Sequence, residues 1–142
     1  MKWAALIAWV LTAGGGFVLL SVWLSRGGMR QRQGGQIRPA LILSHFLLAA
    51  GGLVVWIVYL FADKDVLAWI ALIMLALVAA LGWTMFAIWW QRRQRPVAPE
   101  PSAAPEVPAE QHFPVAIVAL HGLLAVTTVV LVFLTAVGVG GS

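Results

Sequence analysis

The sequence predicts an all-α integral membrane protein, a four-helix bundle built from a duplicated two-helix hairpin. Three observations carry this expectation. The 142 residues are 62% hydrophobic and only 10% charged, with mean hydropathy +0.95, whereas a soluble domain carries about 25% charged residues. Four apolar segments reach the roughly 20 residues a helix needs to cross a bilayer. The first two segments also align with the last two at Trp, Gly, His and Arg positions. A single bundle suits this length, so residues 1–142 are expected to form one membrane domain.

The expected spans are about 3–24, 39–61, 66–90 and 113–137. The first connection, "SRGGMRQRQGGQIR", is polar and arginine-rich, and the second, "ADKD", is a tight turn. The third, over residues 92–111, is rich in Pro, Ala and Glu, which predicts a flexible, non-helical linker. Arginine sets the orientation. Arg26, Arg30, Arg32 and Arg38 lie between spans one and two, and Arg92, Arg93 and Arg95 follow span three. Positive loops stay in the cytoplasm, so a multi-pass cell (inner) membrane protein with both termini outside is expected, Lys2 being a weak vote the other way. The opening "MKWAALIAWVLTAGGG" has some character of a signal peptide. Its apolar run continues through "FVLLSVWL", however, and it has an internal counterpart, so it reads as a span.

That counterpart is span three. At an offset of 66 positions Trp3 meets Trp69, Gly16 meets Gly82, Trp23 meets Trp89 and Arg26 meets Arg92. Spans two and four align at an offset of 76, where His45 meets His121 and "LLA" at 47–49 meets "LLA" at 123–125. The two halves share an orientation, so the repeat is parallel and its axis runs along the membrane normal. His45 and His121 then lie at one depth on equivalent faces. If spans two and four are diagonal, both point at the bundle axis. His45 is seven residues past Arg38, about 10 Å inside the cytoplasmic boundary at 1.5 Å per residue.

Composition excludes several chemistries. There are no cysteines, hence no disulfide, thiolate metal site or cysteine nucleophile. "GGMRQRQGG" lacks the spacing of a phosphate loop. The acidic residues Asp63, Asp65, Glu100, Glu106 and Glu110 all fall in connections, whereas proton-coupled transport calls for charges at midplane. The net charge of +4 comes from arginines beside apolar spans and does not indicate nucleic acid. Zinc would need four ligands in a closed site.

Ionisable residues inside membranes are rare and usually functional, so the histidine pair is the candidate site. Its sharpest reading is one b-type haem held by both imidazoles, since iron porphyrin takes one axial ligand on each side. Each imidazole then needs a partner for its other nitrogen, from backbone carbonyls or hydroxyls such as Ser44, Thr127 and Thr128. Gly16 and Gly82 fall about 15 Å from the same boundary and would let a porphyrin approach the backbone. Arg26, Arg38 and Arg92 lie on the side where propionates would need cations. A plainer reading is a pair of packing histidines bonded across the bundle; another metal or a proton role is also open. His112 is out of phase with His121 and reads as interfacial. Trp3, Trp23, Trp69, Trp89 and Trp90 read as interfacial anchors, and Trp9, Trp56, Trp83 and Tyr59 as deeper packing residues or porphyrin contacts.

This arrangement resembles the cytochrome b membrane haem bundle. In that family histidines on the second and fourth helices hold haem, and glycines on the first and third face the ring. His45, His121, Gly16 and Gly82 match those roles. The family carries a second histidine pair about four turns along. Tyr59 and Thr135 stand there instead, so the resemblance implies a single haem per chain and no complete electron path across the membrane. "HFPVAIVALHGLLAVTT" also resembles small four-span actinobacterial membrane proteins of unknown function, which implies no activity. The expected function is that of an electron-transfer subunit rather than a stand-alone catalyst, working in the lipid bilayer with a quinone-linked or cytoplasmic redox partner. A homo-oligomer is compatible with the sequence. The alternative is a cofactor-free membrane scaffold or assembly subunit.

Overall fold

The computed structural model describes residues 1–30, 37–94 and 107–139. Four long helices form on the four apolar segments: α1 (Lys2–Ser25), α2 (Pro39–Ala62), α3 (Asp65–Arg93) and α4 (Val115–Ala136). Each is long and apolar enough to cross a membrane. A short 3₁₀ turn, Ala109–His112, precedes α4, and no strand occurs among the described residues.

The ends follow local chemistry. Gly27 at φ +77° stops α1, and the Gly28 N–H donates to the Trp23 carbonyl, satisfying an orphan carbonyl of the last turn. Pro39 opens α2 at a position where its missing N–H costs nothing. Asp63 ends α2 in the left-handed region (φ 49°, ψ 40°) and donates its N–H to Tyr59. Asp65 in the first turn of α3 and Arg92 and Arg93 in its last turn suit the helix dipole. Pro114 precedes α4, and Gly138 at φ +81° follows it.

Two tight pairs make the bundle, α1 against α4 and α2 against α3. The α3–α4 and α1–α2 seams are looser, and the diagonal pairs α1/α3 and α2/α4 make no close backbone approach. A hydrophobic core lies at the end away from the arginines. Trp9 and Trp56 meet there with ring centroids 6.4 Å apart, Tyr59 stacks beside Trp56 at 4.9 Å, and Ala5, Ala68, Ala71, Leu75 and Val132 close around them. Lys2 pairs with Asp63 at 2.8 Å on the rim of this end. The outer faces stay apolar and open: Leu47 and Leu123 are each 66% exposed and Phe61 80%. Four such faces on one chain are what a lipid-solvated bundle presents.

The structure corrects several sequence expectations. Trp3, Trp69 and Trp90 are exposed, as anchors would be, but Trp23 and Trp89 are 1% and 2% exposed. They pack into the bundle at the arginine end because their bodies supply the apolar bulk that closes it. The third connection is also shorter than 92–111. Helix α3 continues through Arg93, and the turn at 109–112 packs against α1 and α3; residues 95–106, and with them Arg95, lie outside the described residues, as does Arg32. Asp65 belongs to α3, and Glu110 is buried in the turn rather than lying in an open loop. Its Oε1 accepts the backbone N–H of buried Ile37 at 3.1 Å, tying the first connection to the third. Glu110→Ala is therefore expected to cost about 1–3 kcal/mol, the price of a buried unsatisfied donor. Glu110→Gln keeps a carbonyl acceptor and should recover most of it, as thermal unfolding in detergent would report.

Candidate functional site

His45 and His121 face one another across the bundle, with ring centroids 6.3 Å apart and planes inclined by 59°. The diagonal placement of α2 and α4 produces this, since side chains on opposite corners meet at the axis. Each ring leans on the helix paired with its own. The Nδ1 of His121 lies 2.9 Å from the Thr12 carbonyl on α1, and the Nδ1 of His45 lies 3.0 Å from the Val78 carbonyl on α3. A carbonyl only accepts, so in a neutral imidazole Nδ1 carries the proton and donates. The lone pair is left on Nε2 in both rings, the state a metal ligand requires.

The glycines make these contacts possible. Residue 16 stands one turn after Thr12, and residue 82 one turn after Val78. A Cβ on Gly16 would lie 3.2 Å from Cε1 of His121, and a Cβ on Gly82 would lie 3.2 Å from Cε1 of His45. Both rings therefore lie flush against bare helix backbone. Gly15 also borders His121, while Gly14 has no neighbour at its Cβ position. The offsets of 66 and 76 that relate the sequence segments also relate these two contacts: Thr12 to Val78, Gly16 to Gly82 and His45 to His121.

The surroundings of the rings differ. Thr12 Oγ1 and Thr128 Oγ1 are 3.0 Å apart on the α1–α4 pair that seats His121, whereas Val78 and Gly52 hold the matching positions on α3 and α2. Of the hydroxyls expected to orient the imidazoles, Ser44 and Thr127 do not reach them, and Thr128 bonds the Leu124 carbonyl and Thr12. Backbone carbonyls take that role. Phe17 and Phe46 close the α1–α2 seam at this level, edge to face at 5.5 Å.

Between the histidines and the arginine end, packing changes character. No residue of 17–22, 40–46, 81–88 or 115–121 is fully buried. Two turns beyond Gly16 and Gly82, on the same helix faces, Trp23 and Trp89 are buried. The site thus has two imidazoles and their flanking glycines at one level and two buried tryptophans about two turns below. Trp83, 63% exposed, points away from it, and Trp9, Trp56 and Tyr59 belong to the opposite core. Arg26, Arg38 and Arg92 are exposed at the arginine end. Arg38 lines a groove between α2 and α3, and none of the three bonds an imidazole. His112 is partly buried in the 3₁₀ turn, away from His121 on the chain, with its Nδ1 enclosed and unbonded. No cluster of three metal-ligating side chains occurs among the described residues.

No protein-family model, curated protein or solved structure matches this chain.

Proposed function

We propose that this bundle is a membrane b-type cytochrome, an electron-transfer subunit holding one haem between His45 and His121. The observation that carries the reading is the pair of imidazoles, each tied through Nδ1 to a neighbouring helix and facing the other at 6.3 Å. At that separation His45 and His121 would be placed to hold one metal ion between them. Two protein ligands are too few for a bare structural ion. They suffice for iron in a macrocycle, which brings its own equatorial nitrogens. The glycines beside both imidazoles fit the close approach of a flat ring of that kind.

A haem would supply one-electron exchange. The chain's own residues would fix its ligands and set its surroundings. Thr12 and Val78 carbonyls hold both imidazoles in one tautomer and raise their basicity. The packed Trp9–Trp56–Tyr59 end keeps water from one side. The two hydroxyls on the helix pair that seats His121 make its environment more polar than that of His45. In this reading the matching contacts descend from a repeated hairpin, and the arginine loops face the cytoplasm next to the redox partner.

The deciding experiment is an optical spectrum of the detergent-purified protein, oxidised and dithionite-reduced, with a pyridine haemochrome assay. A sharp reduced α-band and one haem per chain are expected. A colourless protein that refuses added haemin would sink the proposal. It would favour the second reading, a cofactor-free scaffold in which the same imidazole–carbonyl bonds serve packing alone.

Orientation has its own test, made simple by the absence of cysteine. In intact cells, Lys64→Cys is expected to react with a membrane-impermeant maleimide, and Met29→Cys only after permeabilisation. The reverse pattern would invert the proposed topology.

A further inference from the structure

We infer that the groove between α2 and α3 at the arginine end is a binding site for one anionic phospholipid, independent of the haem reading. The groove has a volume of about 380 Å³ and is lined by Arg38, Ala40, Leu41, Ser44, Leu81 and Ile88. That size lies in the range of small-molecule clefts, about 300–1,000 Å³. Its chemistry is graded along the helix axis. Arg38 stands just outside the first turn of α2, where a headgroup phosphate would lie. Leu41, Leu81 and Ile88 form an apolar wall against which an acyl chain can run.

Ser44 supplies the second, separate observation. The other serine and threonine hydroxyls of the four helices, from Thr12 to Thr135, donate to a carbonyl three or four residues back on their own helix. Ser44 makes no such bond among the described residues and lines the groove instead. An unsatisfied hydroxyl facing hydrocarbon is costly. It stands six residues past Arg38, about 9 Å deeper at 1.5 Å per residue. With the long arginine reaching down along the wall, a phosphate on Arg38 and an ester carbonyl on Ser44 belong to one lipid. A cation, a hydroxyl donor and a greasy wall in that order match a phosphatidylglycerol-type molecule. A zwitterionic lipid would set its own cation beside Arg38.

The test is lipid retention in native mass spectrometry. The full chain is released from nanodiscs holding equal phosphatidylglycerol and phosphatidylcholine. Wild type is expected to retain one phosphatidylglycerol with roughly fivefold preference, the usual effect of one basic residue near an anionic surface. Arg38→Gln should abolish the preference, Ser44→Ala should weaken it, and Arg30→Gln, in the first connection, should leave it unchanged. Leu81→Trp fills the groove without touching the charge and should also abolish it, so the outcome does not hang on one variant. Excess inorganic phosphate should not compete, because the acyl chain is part of the contact. Equal retention of the two lipids would overturn the assignment. So would a preference that survives both Arg38→Gln and Leu81→Trp, or one that free phosphate erases.

Discussion

If the bundle holds haem as proposed, replacing His45 by Ala is expected to abolish a low-spin, six-coordinate spectrum, and His121→Ala is expected to do the same. Each variant keeps one imidazole, so the remaining species should be five-coordinate and high-spin, and the double variant should lose the cofactor. The reason is the absence of substitutes. No Cys, Met–His pairing or third histidine stands at this level: His112 lies in the 3₁₀ turn, and no cluster of three ligating side chains exists among the described residues. The two variants should not be spectroscopically identical, because the ligand left in His45→Ala is seated on the helix pair that carries the Thr12–Thr128 hydroxyl pair and the other is not. The effect on folding should be far smaller. Each variant removes one imidazole–carbonyl bond between helices, worth on average about 0.6 kcal/mol in membrane proteins and up to about 1.7. A spectrum that survives in both single variants would remove these residues as ligands. Full loss of folded protein would instead mean that the imidazoles act mainly as packing elements.

Gly82→Val is expected to expel the His45 ring from its seat and, under the proposed haem reading, to abolish six-coordinate ligation as completely as His45→Ala. A single added carbon at residue 82 would already lie 3.2 Å from Cε1, tighter than ordinary van der Waals contact. Ala can be absorbed by a shift of a few tenths of an ångström. Val adds two further carbons to a helix surface on which the ring lies flush, and overpacking of this kind costs typically about 1–3 kcal/mol. Gly16→Val should act on His121 in the same way, again with contact at 3.2 Å. Stability reports this contact even without haem. If glycine and histidine touch as described, Gly82→Val should cost much less in a His45→Ala background than in wild type, since touching residues are non-additive. Additive costs would mean that the ring does not rest on residue 82.

The four helices were legible in the sequence because hydrophobic length is set by the bilayer. Residues 39–61 become Pro39–Ala62 and residues 3–24 become Lys2–Ser25. The largest error is at the end of α3, where hydropathy stops near Trp90 but the helix runs to Arg93. Gln and Arg are good helix formers, and nothing requires a helix to end where the membrane does. The meeting of His45 with His121 was legible too, through the offset alignment. The partner atoms were not. Sequence reading looked to hydroxyls, because a helix carbonyl normally serves its own ladder. Only the bare backbone at Gly16 and Gly82 lets a ring nitrogen reach Thr12 and Val78. Trp23 and Trp89 were misassigned for a related reason. A tryptophan near an arginine-rich boundary reads the same whether it faces lipid or the axis. The signal that separates the two is angular, because each lies seven residues from its glycine and shares its face. Burial of Glu110 left no trace in a proline-rich stretch and had to come from coordinates.

The pairing of α1 with α4 dictates an order of biogenesis. Thr12 and His121 are 109 residues apart, and a ribosome adding about 5–20 residues per second needs roughly 5–20 s to cover that distance. Over that interval α1 presents its glycine face to lipid with no imidazole against it, while α2 and α3, joined by a short turn, can already dock. Of these four helices, the last to be made is the one that completes the pair. Quality control during synthesis therefore meets a three-helix intermediate carrying one histidine, and any prosthetic group that needs both must wait until α4 has been made.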